Sequence, residues 1–174
     1  MLLGRENTPV TRRYSDDFDP QYREDIAYAA QLIEKYQYEE AWTLLNSLGK
    51  ESIPLLFNQA ICLYDARQNE TILRLLDRAL TLLGLLNNGG MKPVGSPELA
   101  AIRDVQKSQL TYLTPITFRR YIELFPHLLK DSILRLMVDA HLELGNKAKV
   151  IELATPLLSK GYRNITEAIQ EVKE

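Results

Sequence analysis

The stretch LLFNQAICLYDARQNETILRLLDRAL, residues 55–80, decides the fold class. Apolar and small residues recur in it at steps of three and four, which is the spacing of one face of an α-helix. The stretch contains no evident catalytic constellation. It therefore predicts helices that serve architecture and recognition.

The apolar pattern of this stretch also occurs 31 residues earlier in the chain. Aligning YAAQLIEKYQYEEAWTLLNSL with NQAICLYDARQNETILRLLDRA brings similar side chains together at a constant offset. The aligned residues are Ala29 and Ala60, Leu32 and Leu63, Ala41 and Ile72, Leu45 and Leu76, and Leu48 and Ala79. Such an offset between helix–turn–helix units is typical of a helical solenoid, in which each unit buries its apolar face on its neighbour. No window alternates apolar and polar residues as a strand would, so the sequence predicts an all-α fold.

The helix pairs resemble tetratricopeptide repeats, a family of helix–turn–helix units. The family's spacing of bulky, small and aromatic or aliphatic residues is met in the second unit by Leu56, Ala60, Leu63, Ile72, Leu76 and Ala79. The segment VDAHLELGNKAKVIELATPLL fits again, with Val138, His141, Gly145, Val150, Ala154 and Leu157. Between these, TFRRYIELFP resembles a second helix of a unit that closes at the family's proline, Pro126. The resemblance implies a right-handed α-α superhelix.

At 174 residues the chain fits one domain, which we expect over residues 21–174 after a flexible lead-in at 1–20. About four irregular units are expected, with bounds near 23–49, 53–84, 96–126 and 131–160. A Gly- and Pro-rich insertion at 85–95 interrupts the array, and a helix at 165–173 is expected to cap it.

In tetratricopeptide repeats the first helices of successive units line a concave groove that holds an extended peptide or a helix. The resemblance implies a mixed groove here, aromatic in its middle and charged at both ends. Its expected partner-binding positions are Arg23, Ile26, Phe57, Asn58, Ile61, Tyr64, Arg103, Lys107, Arg135 and Asp139. Buried aromatic residues and arginine usually dominate binding energy, which favours these residues as a set. The alternative for Phe57 and Tyr64 is packing between neighbouring helices, and the alternative for the charged residues is a solvated face.

One subset of the family grips a C-terminal carboxylate with lysine, arginine and asparagine at set groove positions. Asn58 lies where one such asparagine would be. The matching positions of the first and third units hold Ile26, Ala30, Ser96 and Ala100, which are neither amides nor cations. Carboxylate capture is therefore disfavoured, because it needs several donors and positive charges.

Composition disfavours other classes of function. With 21 basic and 23 acidic residues the net charge is -2, so nucleic-acid binding through a broad cationic surface is not expected. One cysteine and two histidines supply no metal cluster, and no cofactor is expected. No apolar run reaches the roughly 18 residues that span a bilayer, and no signal peptide is evident, so we expect a cytoplasmic protein without membrane contact.

The predicted function is that of a non-enzymatic protein–protein interaction scaffold or adaptor. No nucleophile, base and orienting group can be assembled from neighbours in the sequence. Two alternatives stay open. One is a structural protein that self-associates, for example as a homodimer, through its apolar end faces. The other is a small ligand-binding helical domain that uses the Gly-rich loop at 87–95 to hold an anion, although this loop lacks the ending of a phosphate loop.

Overall fold

The computed structural model of the chain describes residues 20–86, 101, 110–117 and 119–174. All regular structure in these residues is helical, which confirms the all-α prediction for this part of the chain. The α-helices are α1 (Pro20–Glu34), α2 (Tyr38–Ser47), α3 (Ile53–Cys62), α4 (Asn69–Leu86), α5 (Arg119–Leu124), α6 (Pro126–Glu143), α7 (Lys147–Ala154) and α8 (Arg163–Glu171). Short 3-10 helices cover Thr111–Leu113 and Thr155–Lys160.

The helices pack as successive antiparallel neighbours along the chain. Helix α1 packs on α2, α3 on α4, and α6 on α7. The second helix of each pair then contacts the first helix of the next pair, since α2 packs on α3 and α4 on α6. Helix α8 covers both α6 and α7 at the C-terminal end. The 3-10 turn Thr111–Leu113 lies against α6.

The N-terminus of α3 is tied to α1 by a serine cap. The Oγ of Ser52 accepts a hydrogen bond from the backbone N–H of Leu55 at 3.2 Å, and Pro54 stands in the first turn, where its missing N–H costs nothing. The buried hydroxyl of Tyr22, on α1, lies 2.8 Å from the same Oγ and donates to the carbonyl of Lys50 at 2.8 Å. The entry angle of α3 is thus fixed by side-chain bonds to the preceding pair.

Three of the five residue pairs aligned between the first two helix pairs are buried in both, and Ala41 and Ile72 are one of them. Ala29 and Ala60 are both fully buried, as are Leu45 and Leu76. A small residue at such a position lets two helix backbones approach closely, while the leucines fill the space between the helices. This apolar cluster runs from α1 to α6, and a second cluster joins α6, α7 and α8.

Helix α6 differs most from the pattern expected for the units. It begins at Pro126, whereas the repeat pattern placed the start of the fourth unit near 131 and used Pro126 to close the third. Proline suits the first turn of a helix because its fixed φ is already helical and its missing N–H needs no partner there. The first helix expected for the third unit, residues 97–110, lies outside the described residues apart from 101 and 110. The insertion expected at 85–95 lies outside them from residue 87 on, while residues 85 and 86 belong to α4. The lead-in also lies outside them, up to residue 19.

None of the helices in the described ranges is both long and apolar enough to cross a bilayer.

Candidate partner-binding face

A segment of irregular backbone lies on the face formed by α3, α6 and α8. This inner segment, defined as residues 110–117, contains the 3-10 turn Thr111–Leu113 and then runs without helix from 114 to 117. Its side chains Tyr112 and Ile116 are buried in the same apolar cluster as Phe57. The inner segment therefore covers part of the surface on which the sequence placed a groove.

The expected groove residues fall into three groups in the described structure. Five of them are buried against other parts of the chain, namely Ile26, Phe57, Asn58, Ile61 and Arg135. Tyr64 and Asp139 line an open cleft, and Arg23 is exposed on α1. Arg103 and Lys107 lie outside the described residues. Direct contact of these ten residues with a partner stays a prediction.

Asn58 holds the backbone of the inner segment through both ends of its amide. Its Nδ2 donates to the carbonyl of Ile116 at 2.9 Å, and its Oδ1 accepts from the N–H of Ile116 at 2.8 Å. Asn58 is fully buried on α3, 58 positions away in sequence. A neighbouring β-strand offers a residue the same two groups, one N–H donor and one C=O acceptor. The Asn58 side chain therefore has the groups that bind extended main chain.

Asp139 joins the inner segment to three other parts of the fold. Its Oδ2 accepts from the hydroxyls of Tyr112 at 2.5 Å and Tyr64 at 3.2 Å, and its Oδ1 accepts from Nδ2 of Asn164 at 3.0 Å. Burial raises the pKa of Asp139 above its ordinary value, while these hydrogen bonds and the nearby Arg135 act in the opposite direction. Burial, and then the charge of Asp139, also raises the pKa of Tyr112.

Arg135 is stacked between two aromatic rings in the interior. Its Cζ lies 4.2 Å from the ring centre of Tyr112 and 4.3 Å from that of Tyr162. Its Nε donates to Oδ1 of Asn164 at 2.8 Å. Burial lowers the pKa of Arg135, and the two tyrosines and nearby carboxylates counter this. The weakly hydrated, planar guanidinium suits such a position better than an ammonium group would.

A second buried carboxylate holds the C-terminal end of this arrangement. Asp131 accepts from the hydroxyl of Tyr162 and from Nζ of Lys160, each at 2.7 Å. Tyr162 therefore meets Asp131 through its hydroxyl and Arg135 through its ring. These contacts fix α8 and the 3-10 turn before it against α6, so the face is rigid where it meets the inner segment.

The open cleft lies beside the inner segment and has a volume of about 590 Å³. It is lined by aromatic, polar and charged side chains from the α3–α4 turn, the inner segment, α6 and α8, among them Tyr64, Asp65, Arg67, Leu110, Tyr112, Asp139, Glu143, Asn164, Glu167 and Glu171. Arg67 and Glu143 pair across it at 3.2 Å, and both are largely exposed. Exposed pairs of this kind contribute little stability, so they can separate to meet a ligand.

Two titratable groups of the types used most often in nucleophilic catalysis, Cys62 and His141, lie in surroundings that shift their pKa values. Cys62 is buried, and burial raises the pKa of its thiol to about 12, so at neutral pH the thiol is a protonated, small apolar group. His141, on α6, has its pKa lowered by burial and by the charge of Lys149, and its Nδ1 lies 3.3 Å from Nδ2 of Asn146. The described part of the chain brings no three His, Cys, Asp or Glu side chains together as a metal site.

The stability that Asp139 confers is expected to fall as the pH rises. Its pKa is raised by burial, so the folded protein holds this proton more tightly than the unfolded chain, in which the pKa is about 4. The contribution is therefore fully present below the unfolded pKa and is lost as pH rises through the folded pKa. Urea denaturation of the wild type and of Asp139→Asn across this range measures it, because other titrating groups cancel in the difference. A difference that instead grows with pH contradicts the burial argument.

Four residues of this face escaped the sequence reasoning: Tyr112, Ile116, Tyr162 and Asn164. Each meets its partners from a distance of 23 or more positions in the chain, as Tyr112 meets Arg135, so no local spacing indicates the contact. One indirect signal exists. Asp131, Arg135 and Asp139 recur at four-residue steps on one face of α6, and charged side chains on a helix face that packs in the interior require polar partners from elsewhere.

Comparison with known proteins adds no relative to this picture. No protein-family model matches the chain, no curated protein is significantly similar to it, and no solved structure matches it. The function is therefore argued from the residues of the face alone.

Proposed function

We propose that the chain is a non-enzymatic scaffold or adaptor that binds a segment of a partner protein on the face formed by α3, α6 and α8. One observation carries the proposal. This face already holds the non-helical residues 114–117 of the inner segment, through hydrogen bonds between the Asn58 side chain and the main chain of Ile116, and beside them leaves an open cleft of about 590 Å³. A surface that binds one extended segment has the shape and the donors to bind another.

The arrangement proposed for the whole chain is a tetratricopeptide-like solenoid. The successive packing of α1 with α2, α3 with α4, and α6 with α7 supports it, as does the contact of each second helix with the next first helix. Helix α8 takes the place of a capping helix on the last pair. In such an array the first helices share one side, which is the side that carries the inner segment and the open cleft.

The composition of the open cleft supports protein binding in particular. Tyr64 offers aromatic surface at its base, and Arg67 offers a mobile cation at its rim. Aromatic residues and arginine are the types that most often dominate the energy of protein interfaces. The network around Asp139 and Arg135 holds the base of the cleft in one arrangement, so a partner orders few side chains when it binds.

The test is affinity capture from the native host with a charge-reversed cleft. Glu167→Lys combined with Glu171→Lys changes two exposed residues of α8 that line the open cleft. We expect partners captured by the wild type to be lost by at least tenfold, because two cations replace acidic side chains of the cleft and remove its charge complementarity to the bound segment. Quantitative mass spectrometry of the captured proteins measures this.

The matched control carries the same change in net charge away from the cleft. Glu40→Lys combined with Asp77→Lys alters exposed residues of α2 and α4 and should retain the partners. Both variants should melt within a few degrees of the wild type, since surface substitutions seldom change stability by more than about 0.5 kcal/mol. Recovery of the same proteins by both variants would show that the cleft does not bind them.

A further inference from the structure

We propose that the inner segment is an intramolecular occupant of a peptide site at Asn58, and that a partner gains this site by displacing it. The inference rests on the proposed function and adds to it the class of ligand and the way in which access is controlled. The ligand is an extended segment that presents a main-chain N–H and C=O to Asn58 and an apolar side chain in place of that of Ile116.

The Asn58 site has the chemistry of a main-chain receptor. Both polar atoms of the Asn58 amide are used, and both bind the backbone of one residue. These main-chain groups are common to nearly all peptides, so they supply affinity without choosing a sequence. The choice falls to the side chain at the Ile116 position, which is buried in the core cluster.

The pocket beside Ile116 is larger than its present occupant. A cavity of about 290 Å³ adjoins Ile116 and is lined by Phe57, Tyr121 and Leu129, together with residues of the inner segment. Five of the nine lining residues belong to the inner segment, so this space persists only for a partner whose backbone follows the same path. A longer or aromatic side chain at the Ile116 position of such a partner can extend into the space and bury further apolar area. A partner with phenylalanine, leucine or methionine at this position therefore has an advantage over the inner segment.

The inner segment is held at two buried points, Ile116 at Asn58 and Tyr112 at Asp139 and Arg135, and a partner must displace both. Of its eight residues only Tyr112 and Ile116 are buried, and the others are exposed or half-buried. The N–H groups of Leu113 and Thr114 bond to carbonyls within the segment itself, not to a helix. Regions with few buried apolar contacts open at lower free energy than the helices they cover.

Because the inner segment is part of the same chain, it competes with a free peptide for the Asn58 site. A linked occupant competes at an effective concentration on the order of millimolar, so a free peptide with the same contacts binds the wild type poorly. The apparent affinity of any partner is reduced by the fraction of molecules in which the site is open. The site is thereby kept for partners that fill the pocket better or that also engage the open cleft.

The test uses synthetic peptides and a full-length variant in which the inner segment is weakened. The probes are LTYLTPIT, the chain's own residues 110–117, and the same peptide with phenylalanine or with aspartate in place of isoleucine. Ile116→Asp in the protein places a charge in the apolar pocket and should release the segment. Fluorescence anisotropy is expected to give at least tenfold tighter binding of LTYLTPIT to this variant than to the wild type.

Three further outcomes define the Asn58 site. The phenylalanine peptide should bind more tightly than LTYLTPIT, the aspartate peptide should not bind, and adding Asn58→Ala to Ile116→Asp should abolish binding. Equal binding of LTYLTPIT to the wild type and to Ile116→Asp would overturn the proposal, as would no binding to a folded Ile116→Asp protein.

Native-state hydrogen exchange on the wild type serves if the Ile116→Asp variant does not fold. We expect the amide of Ile116 to exchange at least tenfold faster than that of Val138, a buried residue of α6, because the segment opens locally. If both amides exchange only by global unfolding, the inner segment is a fixed part of the fold, and the proposal is wrong. That result leaves capture through the open cleft unaffected, so the two failures are distinguishable.

Discussion

Replacing Phe57 with alanine is expected to lower the free energy of unfolding by about 3–5 kcal/mol, the usual cost of truncating a buried phenylalanine. Phe57 is among the largest fully buried side chains of the core and packs where α3 meets the inner segment. The truncation removes apolar contacts and enlarges a cavity that Phe57 already lines. Urea denaturation followed by circular dichroism measures the loss through a lower midpoint.

The control for Phe57 is an aromatic residue on the surface of the same domain. Tyr28, on α1, is 55% exposed, so Tyr28→Ala should change stability by no more than about 0.5 kcal/mol. A Phe57→Ala variant as stable as Tyr28→Ala would mean that Phe57 faces solvent and is free to contact a partner. Because Phe57 supports the fold, its truncation is unsuited to testing partner binding, for which α8 offers exposed residues.

Replacing Arg135 with alanine is expected to lower the free energy of unfolding by about 2–4 kcal/mol. The substitution removes stacking on two desolvated rings, and it leaves an amide oxygen without its hydrogen-bond donor. The rings are those of Tyr112 and Tyr162, and the amide is that of Asn164. Asp139 also loses the positive charge that opposes the effect of its burial. Thermal and urea unfolding should both report the loss.

Two further variants show whether the loss of stability is specific to the stacked side chain of Arg135. Arg135→Lys keeps the charge but loses the planar stack and the Nε donor, so it should recover only part of the stability. Arg74, on α4, is exposed, and Arg74→Ala should be close to neutral. If Arg135→Ala proves as mild as Arg74→Ala, the stacked arrangement does not hold α6, α8 and the inner segment together.

The repeating part of the fold could be predicted because its determinants are local. Ala29, Ala60, Leu45 and Leu76 stand at helical spacing within single helix pairs, and the structure buries all four. The start of α3 also depends on local sequence, since Ser52 and Pro54 are capping signals that act within one turn. The helical class of the described residues follows from such short-range patterns.

The site could not be predicted to the same depth because its contacts are distant in sequence. Asn58 was identified as a groove position, but its partner Ile116 lies 58 residues away in a stretch without helical period. Arg135 and Asp139 are predicted as charged groove residues, and the structure places tyrosines and an asparagine against them. A periodic pattern assigns a residue to a face of its helix, and it does not reveal what another segment places on that face.

The start of α6 was displaced in the sequence interpretation for a related reason. A proline is compatible both with the end of a repeat and with the first turn of the next helix. The repeat pattern predicts that Pro126 ends the third unit. In the structure Pro126 begins α6, which lengthens the helix that carries Asp131, Arg135 and Asp139. These three charged side chains of the polar network therefore lie on one continuous helix.

Site-specific photo-crosslinking in the native host tests most directly whether the face of α3, α6 and α8 binds a partner. A photoreactive amino acid replaces Glu167, whose side chain is 57% exposed in the open cleft, or Lys149, which is 54% exposed on α7. The account predicts a discrete adduct of higher mass from position 167 and none from position 149. Adducts only from position 149, or equally from both, would contradict it.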